Sequence, residues 1–148
     1  MTVLPFVVLL AGSGLMGAAI PTPRAVETEA VTVTVSSLVS TTSTVKLYFY
    51  NTRAGFLKHG QWAFVKAVKP QGKNEFSLPV ELPKGEWAVA ITQDLNNNDK
   101  IDKNFIGIPT EPYAFSNNVH PTVAAPGFDE CKFMVDGPGK VVSIVLKD

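Results

Sequence analysis

The amino-acid sequence predicts an all-β fold, an antiparallel β-sandwich of about seven strands. Several runs alternate apolar with polar residues, which is the pattern of strands that bury one face. Turns that contain Gly and Pro separate these runs. No long run has the apolar spacing of an amphipathic helix. Because a single antiparallel sheet would leave one face and two edges in water, two stacked sheets are expected.

Strong alternation marks four segments of the chain, at residues 31–36, 45–50, 86–92 and 142–146. In the first segment, Val31, Val33 and Val35 alternate with Thr and Ser, which places three valines on one face. Weaker strand candidates cover residues 62–68, 75–80 and 131–135. The turns between them lie at residues 70–72, 83–85 and 136–139, where Pro and Gly supply the fixed or positive φ of a chain reversal.

Length and charge limit the class of protein. The chain has 148 residues with 13 basic and 13 acidic side chains, so it provides one domain without formal net charge. Nucleic acids and anionic membranes require clustered Lys and Arg, so we expect neither as a partner. The hydrophobic content of 45% is sufficient for a buried core. The single cysteine, Cys131, precludes an intramolecular disulfide.

The first residues are typical of an export signal. Residues 3–20 carry no charge, and the small residues Gly17, Ala18 and Ala19 close the run before a polar, Pro-containing segment. We therefore expect a signal peptide over residues 1–25, with cleavage between 19 and 30, and a β-sandwich domain over residues 26–148. An uncleaved membrane anchor is the alternative, since about 20 apolar residues span a bilayer. The expected location is periplasmic or secreted, without membrane attachment after cleavage.

A run of Asp and Asn after the Trp87 strand is the most specific chemical feature. Candidate Ca²⁺ ligands are the side chains at positions 1, 3, 5 and 9 of this run and the carbonyl at position 7, namely Asp94, Asn96, Asn98, Asp102 and Lys100. Ca²⁺ prefers six to eight oxygen ligands, and a tight loop with alternating inward oxygens supplies several. The sequence therefore predicts a weak, structural Ca²⁺ site.

This run departs from a complete calcium loop at two positions. Position 6, normally Gly, is Asp99, and position 12, normally a bidentate acid, is Phe105. Glu111 or a backbone carbonyl is a candidate to complete the ligand set. The alternative is a polar turn in which Asn and Asp adopt left-handed backbone geometry and cap their own amides.

A longer pattern extends on both sides of this run. It reads Asp94-x-Asn96-x-Asn98-x-Lys100-x-Asp102-x-Asn104-Phe105-x-Gly107-x-Pro109, followed by Glu111-Pro112-Tyr113-Ala114-Phe115-Ser116-Asn117-Asn118, with Leu82-Pro83-x-Gly85-x-Trp87 before it and Pro126-x-Phe128 after it. In these residues the chain resembles domain-of-unknown-function family 2141 of secreted bacterial proteins, over residues 31–146. The resemblance implies a signal peptide and a small sandwich similar to prealbumin-like, carboxypeptidase-regulatory-like and immunoglobulin-like modules. It implies no activity.

The segment at residues 105–118 carries the candidate ligand-binding residues Glu111, Tyr113, Phe115, Asn117 and Asn118. Its aromatic rings are suited to stack on a sugar, and its amides to bond hydroxyls, so an extracellular glycan or peptide is a candidate partner. Alternatively, the aromatic and apolar residues of this segment, Phe105, Ile106 and Ile108 among them, plug one end of the sandwich, since exposed aromatics are costly in water. In that case the Asn pair ties down backbone.

No catalytic motif is present in the sequence. Cys131 is expected to be a small buried hydrophobe on the same face as Phe133 and Val135. We therefore expect a non-catalytic binding or structural role at the bacterial envelope. The alternative is an accessory domain or hydrolase that acts on extracellular glycan or peptide, which would require His120, Ser116 and Glu111 in one pocket.

Overall fold

The structure, a computed structural model, describes residue 14, residues 16–103 and residues 109–146. Within these residues eight strands form two sheets, with one four-residue helix and one 3₁₀ turn. The strands are β1 Thr28–Ser36, β2 Val45–Tyr50, β3 Phe64–Val68, β4 Phe76–Pro83, β5 Gly85–Gln93, β6 Tyr113–Phe115, β7 Phe133–Val135 and β8 Lys140–Val145. The helix α1 is Phe128–Cys131 and the 3₁₀ turn is Ser116–Asn118. The predicted all-β class is confirmed, with one strand more than expected.

The strands divide into a three-stranded sheet, in the order β4-β1-β8, and a five-stranded sheet. In the latter, β3, β2 and β5 are neighbours, and both β6 and β7 pair with β5. All pairs are antiparallel except β1 with β8, so the prediction of a wholly antiparallel fold is wrong at this pair. Alternation of side chains does not encode strand direction. The parallel pair joins strands far apart in sequence, as a crossover connection requires.

The two sheets pack against each other around a shared core, which we call the main core. Val31, Val33 and Val35 of β1 are at most 1% exposed in it, as the alternation predicts. Leu47 and Phe49 of β2 reach the same core from the five-stranded sheet. Each sheet thus buries one face of its alternating strands, and this burial is the principal stabilising contribution to the fold.

A second apolar cluster covers the opposite, outer face of the five-stranded sheet, and we call it the outer cluster. β5 is buried at every position from 87 to 93 because both of its faces are covered. Tyr48 and Tyr50 of β2 pack in this cluster with Phe56 and Phe128, which belong to the segments that follow β2 and precede β7. The outer face is therefore a second core rather than a wet surface.

Cys131 belongs to the outer cluster and is fully buried. Its predicted burial is confirmed, but its predicted position on one face with Phe133 and Val135 is wrong, since both of these pack in the main core. The reason is α1, which ends at Cys131 and interrupts the alternation assumed for residues 131–135. At the start of α1, the Glu130 carboxylate accepts a hydrogen bond of 2.7 Å from the Gly127 amide.

The predicted signal peptide at residues 1–25 lies largely outside the described residues. Within the described ranges, no helix is both long enough and apolar enough to cross a membrane.

Candidate functional site

A cavity of about 540 Å³ lies over the outer face of the five-stranded sheet. Five aromatic side chains contribute to its lining: Tyr48, Tyr50, Trp62, Tyr113 and Phe115. Its volume falls within the range of pockets that bind small molecules, about 300–1,000 Å³. This cavity is the candidate functional site.

One small residue of β5, Ala90, lies at the base of this cavity. Across the sheet, Tyr48 of β2 lies opposite Ala90 of β5, and Ala90 in turn lies opposite Phe115 of β6. An alanine between two aromatic residues leaves a trough with a methyl group as its floor and rings as its sides. We call Tyr48, Ala90 and Phe115 the cross-strand row. Its backbone positions are fixed by strand pairing, so the trough is built into the sheet.

Ring contacts fix both sides of the trough. On one side, Trp62 packs against Tyr48, with 5.2 Å between the ring centroids, and against His59, with 5.3 Å. On the other side, Tyr113 and Phe115 make an edge contact with centroids 5.8 Å apart. Tilted and edge-on ring pairs at these distances are favourable geometries, so they hold the side chains in place.

The Tyr50 hydroxyl is held protonated. Burial, and secondarily the nearby Tyr48, raises the pKa of Tyr50 to about 12. The hydroxyl is protonated at neutral pH, as in any tyrosine, and the raised pKa keeps it a hydrogen-bond donor in alkaline solution as well.

Of the ligand-binding residues predicted from the sequence, the structure brings Tyr113 and Phe115 to this cavity. They lie in β6 on the outer face of the sheet, rather than in a long loop or at the end of the two-sheet stack. A three-residue strand is too short for periodicity to reveal. Phe105, Ile106 and Ile108, which the plug alternative invokes, lie outside the described residues.

Asn117 and Asn118 are used within the fold. The Asn117 amide donates to the carbonyls of Glu130 and Lys132, at 3.1 and 2.8 Å. Asn118 accepts a hydrogen bond from the Val145 amide at 2.8 Å and donates to the Ser143 carbonyl at 3.2 Å. Asn118 thereby occupies the outer edge of β8 as a neighbouring strand would. Both side chains hold neighbouring backbone segments in place by hydrogen bonds, as the alternative interpretation of the sequence expects.

Sequence reasoning missed Tyr48, Tyr50 and Trp62 as lining residues. One signal was present, because residues 45–50 have apolar or aromatic side chains on both alternating faces except at Lys46. A strand of this kind is covered on both faces. The sequence therefore indicated that another part of the chain packs on the outer face of β2, although it did not indicate which part. Trp62 lies in an irregular segment, where no pattern indicates what a side chain contacts.

The Asp/Asn loop forms a compact turn around Asp94. The Asp94 carboxylate accepts hydrogen bonds from the amides of Asn98 and Asp99, at 3.2 and 2.8 Å. Asn97 and Asp99 have φ values of 53° and 62°. Asp99 thus adopts the left-handed conformation that Gly normally supplies at position 6, a conformation that Asp tolerates better than most residues.

The remaining candidate ligands share this turn. Asn98 donates to the Asp102 carboxylate at 2.8 and 3.0 Å, and its own side-chain oxygen accepts from the Lys100 amide at 2.9 Å. Asn96 also donates to Asp102. The five predicted calcium-ligand positions thus lie in one hydrogen-bonded turn, in which oxygens of Asp94, Asn96 and Asn98 cap backbone amides as the polar-turn alternative expects.

Asp99 points away from this set and pairs with Lys46. Burial alone would lower the pKa of Lys46, but the hydrogen bond and the charge of Asp99, with the neighbouring Tyr48 and Asp94, outweigh burial and raise it. The hydrogen bond to Lys46 lowers the pKa of Asp99. This ion pair anchors the loop to β2.

Glu111 lies against the loop. Glu111 is only 7% exposed, and one of its carboxylate oxygens accepts a hydrogen bond of 3.0 Å from the Leu95 amide. Its other oxygen has no hydrogen-bond partner among the residues that the structure describes. A buried carboxylate oxygen without a partner is costly, and a cation would satisfy it. Within the described ranges, however, no three His, Cys, Asp or Glu side chains converge on one point. An ion held here must also draw on amide and carbonyl oxygens.

The residues named for a hydrolase do not form one site in the structure. The Ser116 hydroxyl accepts a hydrogen bond from the Val89 amide and donates one to the Cys131 carbonyl. Glu111 is bound to Leu95, and His120 is exposed. Among the hydrogen bonds of the described residues, none links Ser116, Glu111 and His120.

Fold and cavity together define a small two-sheet β protein with an aromatic-lined cavity over one outer sheet face. The family model described as "Uncharacterized protein conserved in bacteria (DUF2141)" matches residues 33–143. The chain belongs to this family, as its motifs indicated. It matches no curated protein and no solved structure.

Proposed function

We propose that the protein is an exported, non-catalytic module that binds a short glycan in the aromatic cavity, at the bacterial envelope or outside the cell. Its two sheets would form a sandwich of the prealbumin-like or carboxypeptidase-regulatory-like kind. The cross-strand row of Tyr48, Ala90 and Phe115 carries this proposal, because it builds a trough with aromatic sides into a rigid sheet.

The chemistry of the lining favours a sugar. A sugar ring has apolar faces, which stack on aromatic rings, and a rim of hydroxyls, which require hydrogen-bonding partners. Trp62 and Tyr113 are the half-buried rings of the cavity, and Tyr50 and Thr92 bring hydroxyl groups. A peptide that binds by strand addition would require an exposed sheet edge, whereas this cavity lies over a sheet face.

The test is a glycan array followed by calorimetry on the best ligand, with Trp62→Ala and Tyr113→Ala as variants. Each variant should weaken binding about fivefold or more, since an aromatic side chain that stacks on a nucleic-acid base contributes about 1–3 kcal/mol and a sugar face stacks in the same manner. The matched control is Val141→Ser, an exposed residue of β8 in the other sheet. An array without a specific ligand, or an equal loss in the control, would contradict glycan binding in this cavity.

We also propose that the Asp/Asn loop binds Ca²⁺ as a structural ion. The partnerless oxygen of Glu111 favours this over a simple polar turn, since the polar-turn interpretation leaves that oxygen unsatisfied. Asp94, Asn96, Asn98 and Asp102 would supply side-chain oxygens, with the Lys100 carbonyl. Bound Ca²⁺ would stabilise the loop through its charge.

Thermal unfolding in millimolar Ca²⁺ and in EDTA tests the calcium proposal. The melting temperature should be higher with Ca²⁺, because an ion that binds only the folded state stabilises it. Asp102→Asn and Glu111→Gln should reduce this difference, whereas Asp136→Asn, in an exposed turn, should preserve it. Identical melting temperatures with Ca²⁺ and EDTA would exclude the site.

A further inference from the structure

We infer that the ligand of the aromatic cavity is an acidic sugar, with a carboxylate that binds Lys58 and Lys103. This inference rests on the proposed glycan binding and specifies its substrate class. Lys58, His59 and Lys103 line the cavity, and no Asp or Glu of the described residues does. In a chain with equal numbers of acidic and basic residues, a lining with only basic charges is a local imbalance.

The carboxylates nearest in sequence are engaged elsewhere. Asp102 accepts hydrogen bonds from Asn96 and Asn98 within its own loop. Asp99 pairs with Lys46, and Glu111 accepts from the Leu95 amide. None of these three acids forms an ion pair with Lys58 or Lys103.

The two lysines are also without ionic partners inside the fold. Lys58 and Lys103 form no ion pair with any residue that the structure describes, although Lys46, Lys84 and Lys132 do. Both side chains are exposed, so their ammonium groups can reach a ligand without breaking an internal contact. Positive charge at the rim of a low-dielectric trough attracts an anion more strongly than an isolated surface lysine does.

The aromatic sides and the two lysines together define the ligand. The rings accommodate a flat, partly apolar body, and the cations accommodate one negative group at its edge. A uronic acid has this shape, with a pyranose ring and one carboxylate outside it. A neutral sugar would stack equally well but leave both lysines without partners.

The experiment compares methyl β-D-glucuronide with methyl β-D-glucoside by NMR titration of the full domain. The two probes differ at one group, which is a carboxylate in the glucuronide and a hydroxymethyl group in the glucoside. The glucuronide should bind about fivefold to tenfold more tightly at low salt, as expected for one or two exposed charge pairs. This preference should shrink in about 0.5 M NaCl, because salt screens exposed charges.

Variants separate the inference from the proposed function. Lys58→Gln combined with Lys103→Gln should lower the affinity for the glucuronide to about that for the glucoside and so remove the preference, while Lys140→Gln, on β8, should preserve the preference. Equal affinity of the two probes for the unmodified protein, or a preference that survives the double substitution, would overturn the inference but leave glycan binding intact. If neither probe shifts a cavity resonance, glycan binding and the inference both fail.

Discussion

At the residue scale, single polar side chains complete the fold where the backbone stops pairing. β6 and β7 both lie along β5, and Ser116 fills the gap between them by bonding the Val89 amide and the Cys131 carbonyl. Gln93 is fully buried and uses both ends of its amide to hold the segment before β2, where Ser40 and Ser43 provide carbonyls. Buried polar groups of this kind are tolerated because they are satisfied.

We predict that Ser116→Ala lowers the free energy of unfolding by about 1–3 kcal/mol, because it leaves the buried Val89 amide without its acceptor. Urea denaturation measures this loss. Ser143→Ala, at an exposed position of β8, is the matched control and should change stability by less than about 0.5 kcal/mol. Equal effects of the two substitutions would mean that the hydrogen bonds of Ser116 to Val89 and Cys131 contribute nothing to stability.

Cys131 should be inert in the folded protein. Burial, and secondarily the charge of Glu130, raises the pKa of its thiol from 9.0 to about 12. A thiol reagent at pH 8 should therefore react rapidly only after unfolding in urea. Comparable rates for folded and unfolded protein would contradict the buried position.

The same shift predicts alkaline destabilisation. Between pH 9 and about 12 the unfolded thiol ionises while the folded one keeps its proton, so the unfolded state is favoured as pH rises. The stabilising contribution is complete below pH 9 and is lost as pH approaches 12. Cys131→Ala should make the free energy of unfolding less dependent on pH in this range. An unchanged slope would mean that other groups cause the alkaline destabilisation.

At the element scale, β5 links the fold to its candidate site. One face of β5 contributes Trp87, Val89 and Ile91 to the main core, and the other presents Ala88 and Ala90 beneath the outer cluster. The large side chains of β5 fill the main core, and its small side chains face the outer cluster. One strand can therefore contribute to both cores and still leave a cavity over its outer face. The alternation of residues 86–92 predicted the first role but gave no reason to expect the second.

Ala90→Leu should abolish ligand binding with little effect on stability. The added carbons would occupy the floor of the trough, where open volume is available, so the usual overpacking penalty of about 1–3 kcal/mol is reduced. Calorimetry with the array ligand and urea denaturation measure the two quantities. Ala67→Leu, exposed on β3, should leave binding intact. Full binding by Ala90→Leu would place the ligand elsewhere.

The sequence predicted elements with long alternation better than elements defined by contacts. Both β1 and β2 were predicted because their apolar positions recur at a period of two over many residues. β6 was missed because three residues carry no period, and α1 because residues 131–135 alternate even though the helix ends at Cys131. The loop around Asp94 was found because its Asp and Asn residues are closely spaced in sequence, while the cavity joins residues from β2, β5 and β6, which no local pattern links.

At the scale of the whole molecule, the fold places its candidate chemistry on one side. The three-stranded sheet closes the main core, while the five-stranded sheet carries the cavity and leads from β5 into the Asp/Asn loop. Ile101 and Lys103, at the end of that loop and just after it, line the cavity. The proposed ion site and the proposed ligand site therefore share one side of the protein.

Export is a prediction about the whole chain. Full-length protein expressed in a bacterium should be recovered from the periplasm or medium with a new N-terminus between residues 19 and 30. Ala19→Pro should block cleavage after Ala19, because it replaces the small residue that precedes this cleavage position, whereas the conservative control Thr22→Ser should be processed normally. Uncleaved protein in the cytosol would contradict the predicted signal.

The most direct test of the account is chemical-shift mapping of the isotopically labelled domain as the array ligand is added. We expect the largest shifts at the cross-strand row of Tyr48, Ala90 and Phe115 and at Trp62, with smaller changes in the three-stranded sheet. Shifts concentrated on β1, β4 or β8 instead would show that the ligand binds away from the aromatic trough.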